Sequence, residues 1–332
     1  MYPGVPTTTP AVQGELFYGV RQIVPAFSFR DRETCQTVWM LDPDEAARVQ
    51  RRLGSQGHGL LEGGSAYSNI YTGGAKEPHF CASVMGWGDL LRGANPLAVA
   101  VFALSNIGSF IRSFSLAFLE LFIGLADSIV GIFSGRHAFK ELKFIPARIG
   151  VCILLRDLIT IGACMDAARG LPIVQVNFLG YDEQSHPRGP GSNFAHWTLK
   201  GIDRSIRRIW KAAQRSNRRD YQIWIYSDHG QEHTIPYYYE TGQNVEDAIA
   251  AVLDTHVVNV PAQQRASRGV ATQRANWLGG GKVQRLLPKE KSSARIAVGD
   301  ELAVTALGPL GLVYPTKQYH GQERKTLAQR FV

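Results

Sequence analysis

The sequence predicts a doubly wound α/β domain with a largely parallel sheet, interrupted by a hydrophobic helical insertion. Three observations lead there. Two apolar runs, Val176-Asn-Phe-Leu-Gly-Tyr-Asp182 and Tyr221-Gln-Ile-Trp-Ile-Tyr-Ser-Asp228, each pass into a carboxylate followed by an imidazole, His186 and His229. Strands end this way where a parallel sheet presents side chains at its carboxyl edge. Between them Ser192 to Trp210 reads as a helix, so strand, loop, helix and strand follow in order, and a right-handed crossover would bring both strand ends to one edge. The third observation is a sharp change of composition at Asn95-Pro96, apolar through to Gly135. Residues 1–94 and 149–332 are therefore expected to form two parts of one α/β domain, with 95–148 as the insertion.

A chain of 332 residues with 45% hydrophobic residues can bury a large core. The formal net charge is +8, much of it in Arg204, Arg207, Arg208, Lys211, Arg215, Arg218 and Arg219. At helical spacing these form a solvated face, or one that meets anionic lipid or an anionic substrate. No basic-aromatic groove motif accompanies the charge, so nucleic acid is not an expected partner. Cys35, Cys81, Cys152 and Cys164 show no Cys-x-x-Cys spacing and read as buried small hydrophobes in a reducing compartment.

At the start, Thr7, Thr8 and Thr9 precede Pro10 and a short helix that Gly19 ends. A threonine there serves as an N-cap, or as a hydroxyl activated by a metal and oriented by the helix's first free N–H groups. No charged segment followed by an apolar run precedes it, so no signal peptide is visible and the cytoplasmic side is expected. Val24 to Phe29 and Thr37 to Met40 are strand-like. Asp42-Pro-Asp-Glu opens a helix that closes on basic residues and Leu53 before Gly54. The glycine-rich stretch from Gly63 to Gly74 lacks a Walker or dinucleotide signature and reads as a tight structural turn. His58 and His79 have no partner at metal-ligand spacing and read as structural.

In the insertion, Asn95 caps, Pro96 fits the first helical position and Gly135 stops a helix of about 40 residues, roughly 60 Å if unbroken. Ser105, Ser109, Arg112, Glu120, Asp127 and Ser134 fall in one sector about 80° wide, a narrow polar stripe on an apolar rod. A simple membrane span would place Arg112, Glu120 and Asp127 in hydrocarbon at about 2.5–3.5 kcal/mol each. An interfacial helix, or a hairpin broken at Ser105-Asn-Ile-Gly108, avoids that, so membrane association is expected, with Arg136, Lys140, Lys143 and Arg148 suited to anionic headgroups. Further on, residues 150–170 read as a buried helix stopped at Gly170, with the strand to Asp182 following. His196 reads as a packed histidine and His233 as a residue near substrate. Beyond about residue 262 the chain turns irregular and basic before apolar residues return at Ile296, Leu302 and Gly308.

Asp and His together suit a borderline cation such as zinc or manganese, since carboxylate oxygen and neutral imidazole nitrogen hold it while leaving positions for phosphate. Either pair alone is ordinary loop chemistry; two pairs at two strand ends point to a site. Gly180-Tyr-Asp182-Glu-Gln-Ser-His186-Pro-Arg-Gly189-Pro190, followed by Ser227-Asp228-His229-Gly230, resembles the alkaline phosphatase superfamily, and within it the type I phosphodiesterase and nucleotide pyrophosphatase family. The resemblance implies two divalent ions, zinc with manganese as the alternative. Asp182 and His186 would hold one ion, and Asp228 and His229 the other with a nucleophilic threonine. Counting back from Gly19 identifies that threonine as Thr9, with Thr8 as the fallback.

Two family ligands have no counterpart here. The family's metal-binding Asp ends a strand well before the nucleophile, and the sequence before Thr9 is too short to hold it, which predicts a truncated chain. The family's third His of the first site would lie where this sequence has Leu312, with His320 eight residues on. The implied activity is metal-dependent hydrolysis of a phosphodiester or pyrophosphate through a phosphothreonine, on a nucleotide, a lipid headgroup or a lipid-linked diphosphate. The alternative is a catalytically impaired member acting as a membrane-associated binding module.

Overall fold

The computed structural model describes residues 7–84 except 22, 32 and 35; helical residues 104, 107, 108, 111, 114, 115, 118 and 122; residues 149–252 except 234, 236 and 244; and residues 257–259, 295–299, 302–307, 310–315 and 320–329. Most of the insertion at 95–148, the irregular stretch from 262 and Cys35 lie outside these.

Helix α1, Thr9–Tyr18, starts from an extended Thr8 with Pro10 in its first turn, where a missing N–H breaks no helical bond. It ends on Gly19 in the left-handed conformation, whose N–H donates to the Glu15 carbonyl. Thr9, Gln13 and Phe17 recur every fourth residue and form its buried face. Strands β1, Ser28–Arg30, and β2, Thr37–Trp39, pair antiparallel. The first begins later than its apolar run because Pro25 brings no N–H to a ladder. Helix α2, Pro43–Gly54, has the predicted signals: the Asp42 side chain accepts from the Asp44 and Glu45 N–H groups, and Arg51 and Arg52 close the last turn. Its Arg48 and Arg52 reach the buried Asp31 at 3.0 and 3.3 Å. Burial alone would raise the Asp31 carboxyl, but hydrogen bonds from Arg48 and the Glu33 N–H and the two guanidinium charges hold it below the usual range.

The parallel sheet contains β3, Ser65–Tyr67, β4, Glu77–His79, and β5, Val174–Val176, in the order β4-β3-β5, with Ser65 opposite both Glu77 and Val174. The glycine-rich stretch Gly63 to Gly74, expected as a tight turn, instead carries β3 at its centre, with turns only at its two ends. Gly73 and Gly74, at φ 59° and 81°, let the Gly73 carbonyl accept the Leu61 N–H at 2.8 Å. His79 stacks on Tyr67 at 4.8 Å between ring centroids. The Tyr67 hydroxyl donates to Asp166 at 2.6 Å.

Residues 150–170 are helical as predicted, in two parts. A π-helical segment, Ile149–Leu155, leads into α3, Arg156–Arg169, which ends on left-handed Gly170. Two corrections follow. The strand expected to run to Asp182 stops at Val176; Gly180–Arg188 is helix α4, favoured by Asp182 and Glu183 in its first turn. The strand expected from Tyr221 to Asp228 joins no ladder among the described residues. Its links to the rest are side chains: the Tyr221 hydroxyl donates to the Leu171 carbonyl at 2.7 Å and the Gln175 amide to the Tyr226 hydroxyl at 2.8 Å. Trp224 and Ile225 stay 83% and 70% exposed.

Between them, α5, Asn193–Gln214, is capped by Ser192 and packs along α3 and α4. Its Arg204, Arg207, Lys211 and Arg215 are exposed, the solvated face the spacing suggested. His196 is exposed there too, a correction to its reading as a packed residue. After α6, Tyr237–Thr241, and α7, Val245–Val252, come β6, Val257–Asn259, β7, Arg295–Gly299, β8, Leu302–Leu307, and β9, Leu310–Pro315, an antiparallel sheet in that order; α8 is Gly321–Gln329. The architecture is mixed α/β, its parallel part limited to three strands among the described residues. The three sheets share one core: Thr305 on β8 donates to the Ser28 carbonyl, and Leu312 and Tyr314 of β9 pack against the cluster of Phe17, Met40, Leu53, Tyr71 and Ile159. Cys81 and Cys152 are buried free thiols, and burial pushes Cys81 up to about 12.

Candidate active site

Thr9 is nearly buried at the first position of α1, and its Oγ1 lies 3.1 Å from His229 Nε2. The other ring nitrogen of His229, Nδ1, is 3.0 Å from the Gly230 carbonyl, an acceptor only. Nδ1 therefore carries the proton in the neutral ring, and the Nε2 lone pair accepts the Thr9 hydroxyl. Asp228 Oδ2 stands 3.8 Å from the same Nε2. Thr8 points elsewhere, donating to the Pro25 carbonyl at 3.3 Å.

Asp182 and His186 meet because they are one turn apart on α4. Gln184 and Ser185, both buried, press the opposite side of that helix inward, with the Gln184 amide on Cys152 Sγ. Positions 182 and 186 are thereby turned away from the core, and His186 Nε2 lies 3.2 Å from Asp182 Oδ1. This hydrogen bond and the Asp182 charge raise the His186 pKa against the opposing effect of burial. Across from them, the Gln231 amide donates to the same Asp182 Oδ1 at 2.5 Å. His233 lies over Gly189 at the end of α4, where an added Cβ would come 3.0 Å from the ring.

The two groups are neighbours. His229 faces Thr9 and Gln231 faces Asp182, and two residues of chain span at most about 7 Å. Thr9, Asp228 and His229 thus form one group and Asp182 and His186 a second, linked by the short segment from His229 to Gln231. A polar network between α1 and the ends of β3 and β5 was not anticipated. Gln13, one turn after Thr9 on the same face of α1, is buried, donates to Asn69 Oδ1 at 3.3 Å and accepts the Ile70 N–H at 2.8 Å. Ser68, just past β3, has φ 64°, a left-handed conformation unusual for a residue with a side chain, and its carbonyl accepts from Asn177, just past β5. Only the polar character of Ser68 and Asn69 after an apolar strand hinted at this.

The donor atoms suit a small cation. Ligands about 2.0–2.2 Å from a tetrahedral zinc lie roughly 3.4 Å apart. The separations of 3.1 Å (Thr9 to His229), 3.8 Å (His229 to Asp228) and 3.2 Å (His186 to Asp182) bracket that value. Thr9, Asp228 and His229 offer three donors and Asp182 and His186 two. Among the described residues no group of three or more His, Cys, Asp or Glu side chains is placed to hold a metal ion. Leu312 lies on β9 against the core and His320 is exposed just before α8, so neither adds a ligand by its placement.

Residues 173–301 match the family model of type I phosphodiesterase / nucleotide pyrophosphatase. The matched stretch begins at the start of β5 and contains Asp182, His186, Asp228, His229 and Gln231, whereas Thr9 and its helix precede it. A type I phosphodiesterase / nucleotide pyrophosphatase domain is a hydrolase of phosphoester substrates such as nucleotides, which agrees with the resemblance carried by the two motifs. No curated protein and no solved structure matches the chain.

Proposed function

We propose that the chain is a metal-dependent hydrolase of phosphodiester or pyrophosphate bonds with Thr9 as its nucleophile. The contact between Thr9 Oγ1 and His229 Nε2 carries this reading, because it joins the helix N-terminus to the second metal motif across 220 residues of sequence. Thr9, Asp228 and His229 would hold one divalent cation and Asp182 and His186 the other. Such ions, zinc or manganese by the donor set, lower the pKa of a bound hydroxyl and neutralise charge on the phosphoryl oxygens.

The residues of the chain supply the rest. Pairing with Gly230 keeps the His229 ring in the tautomer that turns Nε2 to Thr9. The start of α1, with its unsatisfied N–H groups and positive end of the helix dipole, favours negative charge beside Oγ1. Oγ1 bonds to phosphorus as the bond to the leaving oxygen breaks, leaving phosphothreonine; attack by water at phosphorus then frees Thr9 and releases phosphate or a phosphomonoester. The test is bound-metal stoichiometry by elemental analysis. The purified chain is expected to retain two zinc or manganese ions and Asp228→Ala one; a folded chain with none would end the hydrolase reading.

The partner of the insertion is an anionic membrane surface. Leu104, Ile107, Ile111, Phe114, Phe118 and Phe122 are helical, repeat at three- and four-residue steps and are between 53% and 67% exposed, on the side away from the polar stripe. No helix among the described residues is long and apolar enough to cross a membrane. A helix lying in the interface would bring a lipid headgroup or lipid-linked diphosphate within reach as substrate. The chain should sediment with vesicles containing phosphatidylglycerol, and Phe114→Asp with Phe118→Asp should release it. Sedimentation unchanged by that pair would reject this face.

A further inference from the structure

We propose that Gln13 is a positioning residue that sets the Thr9 hydroxyl against His229. The inference rests on the hydrolase reading above and deepens it, because it concerns how the nucleophile of that reading is aimed. Gln13 follows Thr9 by one turn on the buried face of α1 and is only 4% exposed. Its Oε1 accepts the Ile70 N–H at 2.8 Å, and its Nε2 donates to Asn69 Oδ1 at 3.3 Å. The Ile70 N–H can only donate, so it fixes which end of the Gln13 amide faces it and leaves the NH2 group to Asn69.

The residues that Gln13 grips are themselves held. The Asn69 and Ile70 carbonyls accept from the Ala82 and Ser83 N–H groups, and Ser68 bonds through its N–H to the His79 carbonyl and through its own carbonyl to Asn177. Gln13 therefore ties α1 to a braced segment at the end of the parallel sheet. Phe17, one turn further on, packs the same face into the core. Apolar contact has no preferred direction and permits a helix to roll slightly, whereas a hydrogen bond weakens as it is turned. Rolling α1 by roughly 20° would carry Thr9 Oγ1 through about 1.4 Å. That parts it from the His229 Nε2 that it meets at 3.1 Å, and a misplacement of about 1 Å can cost 10²-fold in rate. The amide does this without placing a charge beside the reacting hydroxyl.

The experiment uses the full chain and two readouts. Turnover of a chromogenic aryl phosphodiester, measured well below Tm, separates kcat from KM. Selective labelling of threonine methyl groups, with the Thr9 signal assigned by its loss in Thr9→Ala, reports cross-relaxation between that methyl and the His229 ring. Gln13→Met keeps the length of the side chain and removes both bonds; Asn69→Ala removes one. Gln13→Met is expected to lose about 10²-fold in kcat, with KM within a few-fold of native, and to lose the cross-relaxation signal. Asn69→Ala should lose less, and the double variant no more than Gln13→Met, because the two residues act through one contact. Native kcat in Gln13→Met beside an inactive Thr9→Ala would refute the role of Gln13 and leave the hydrolase reading standing. A loss confined to KM, or a Thr9 signal that persists in Gln13→Met, would refute it too. If the unsubstituted chain does not turn over the diester, the hydrolase reading falls, and the Thr9 signal alone decides the positioning: its loss in Gln13→Met supports the role and its persistence ends it.

Discussion

Thr9→Ala is expected to lower turnover of a chromogenic aryl phosphodiester by at least about 10³-fold, the scale seen when a covalent nucleophile is removed. Thr8→Ala should leave it within a few-fold of the native rate. The two residues are adjacent and chemically identical, so composition cannot separate them; their partners do. Thr9 Oγ1 lies 3.1 Å from His229 Nε2, whereas the Thr8 hydroxyl donates to the Pro25 carbonyl. Neither side chain caps α1, so Ala at either position removes no helix-capping bond and the activity loss is not a folding loss. Thr9→Ser retains the hydroxyl and should restore much of the rate. A phosphorylated intermediate, trapped by acid quench and located by mass spectrometry, should map to Thr9. Loss of turnover in Thr8→Ala with Thr9→Ala active would reverse the assignment and move the nucleophile off the helix.

The five candidate residues could be singled out in the sequence because each depends on local pattern: a threonine ahead of Pro10 and a helix, and two Asp-His pairs after apolar runs. Their immediate surroundings were less legible. Asp182 and His186 were expected to follow a strand end, yet they share α4, since a run ending in Gly180-Tyr-Asp-Glu carries both an apolar stretch and the acidic first turn of a helix. The segment from Tyr221 to Ser227 has strong β-formers but no ladder among the described residues. Strand propensity favours an extended backbone and does not supply a neighbour. Gln13, Asn69 and Gln231 were missed for a different reason. Buried or bridging amides have no spacing rule, and their partners come from distant parts of the chain, as with Gln231 on Asp182, 49 residues away. The antiparallel strands β6 to β9 left only scattered apolar residues in the sequence.

Gly64→Ala is expected to be strongly destabilising. The sheet that supports the site relies on close approach at this residue: its N–H and carbonyl stay within the turn and the β4 ladder, bonded to Leu61 and Glu77, while its Cα faces the residue before β5. A Cβ there would lie 2.1 Å from the Ile173 carbonyl oxygen and 2.4 Å from Ile173 Cγ2. Backbone oxygen cannot swing aside as a side-chain tip can, so β3 and β5 must separate. The Ser65 N–H then loses its 3.0 Å bond to that carbonyl, and the Ser65–Val174 pairing weakens with it. Overpacking of this kind typically costs 1–3 kcal/mol, and with a ladder bond lost about 3 kcal/mol is expected. For a chain of this size that lowers Tm by on the order of 10 °C. The effect should reach the chemistry, since Ser68 and Asn177 follow the two separated strands and bond to each other, and the next residues, Asn69 and Ile70, bond to Gln13 on the helix that carries Thr9. Zinc affinity and turnover should therefore fall together in Gly64→Ala, even well below its Tm. A variant with native Tm would mean that β3 and β5 do not approach as closely as the Gly64 position requires.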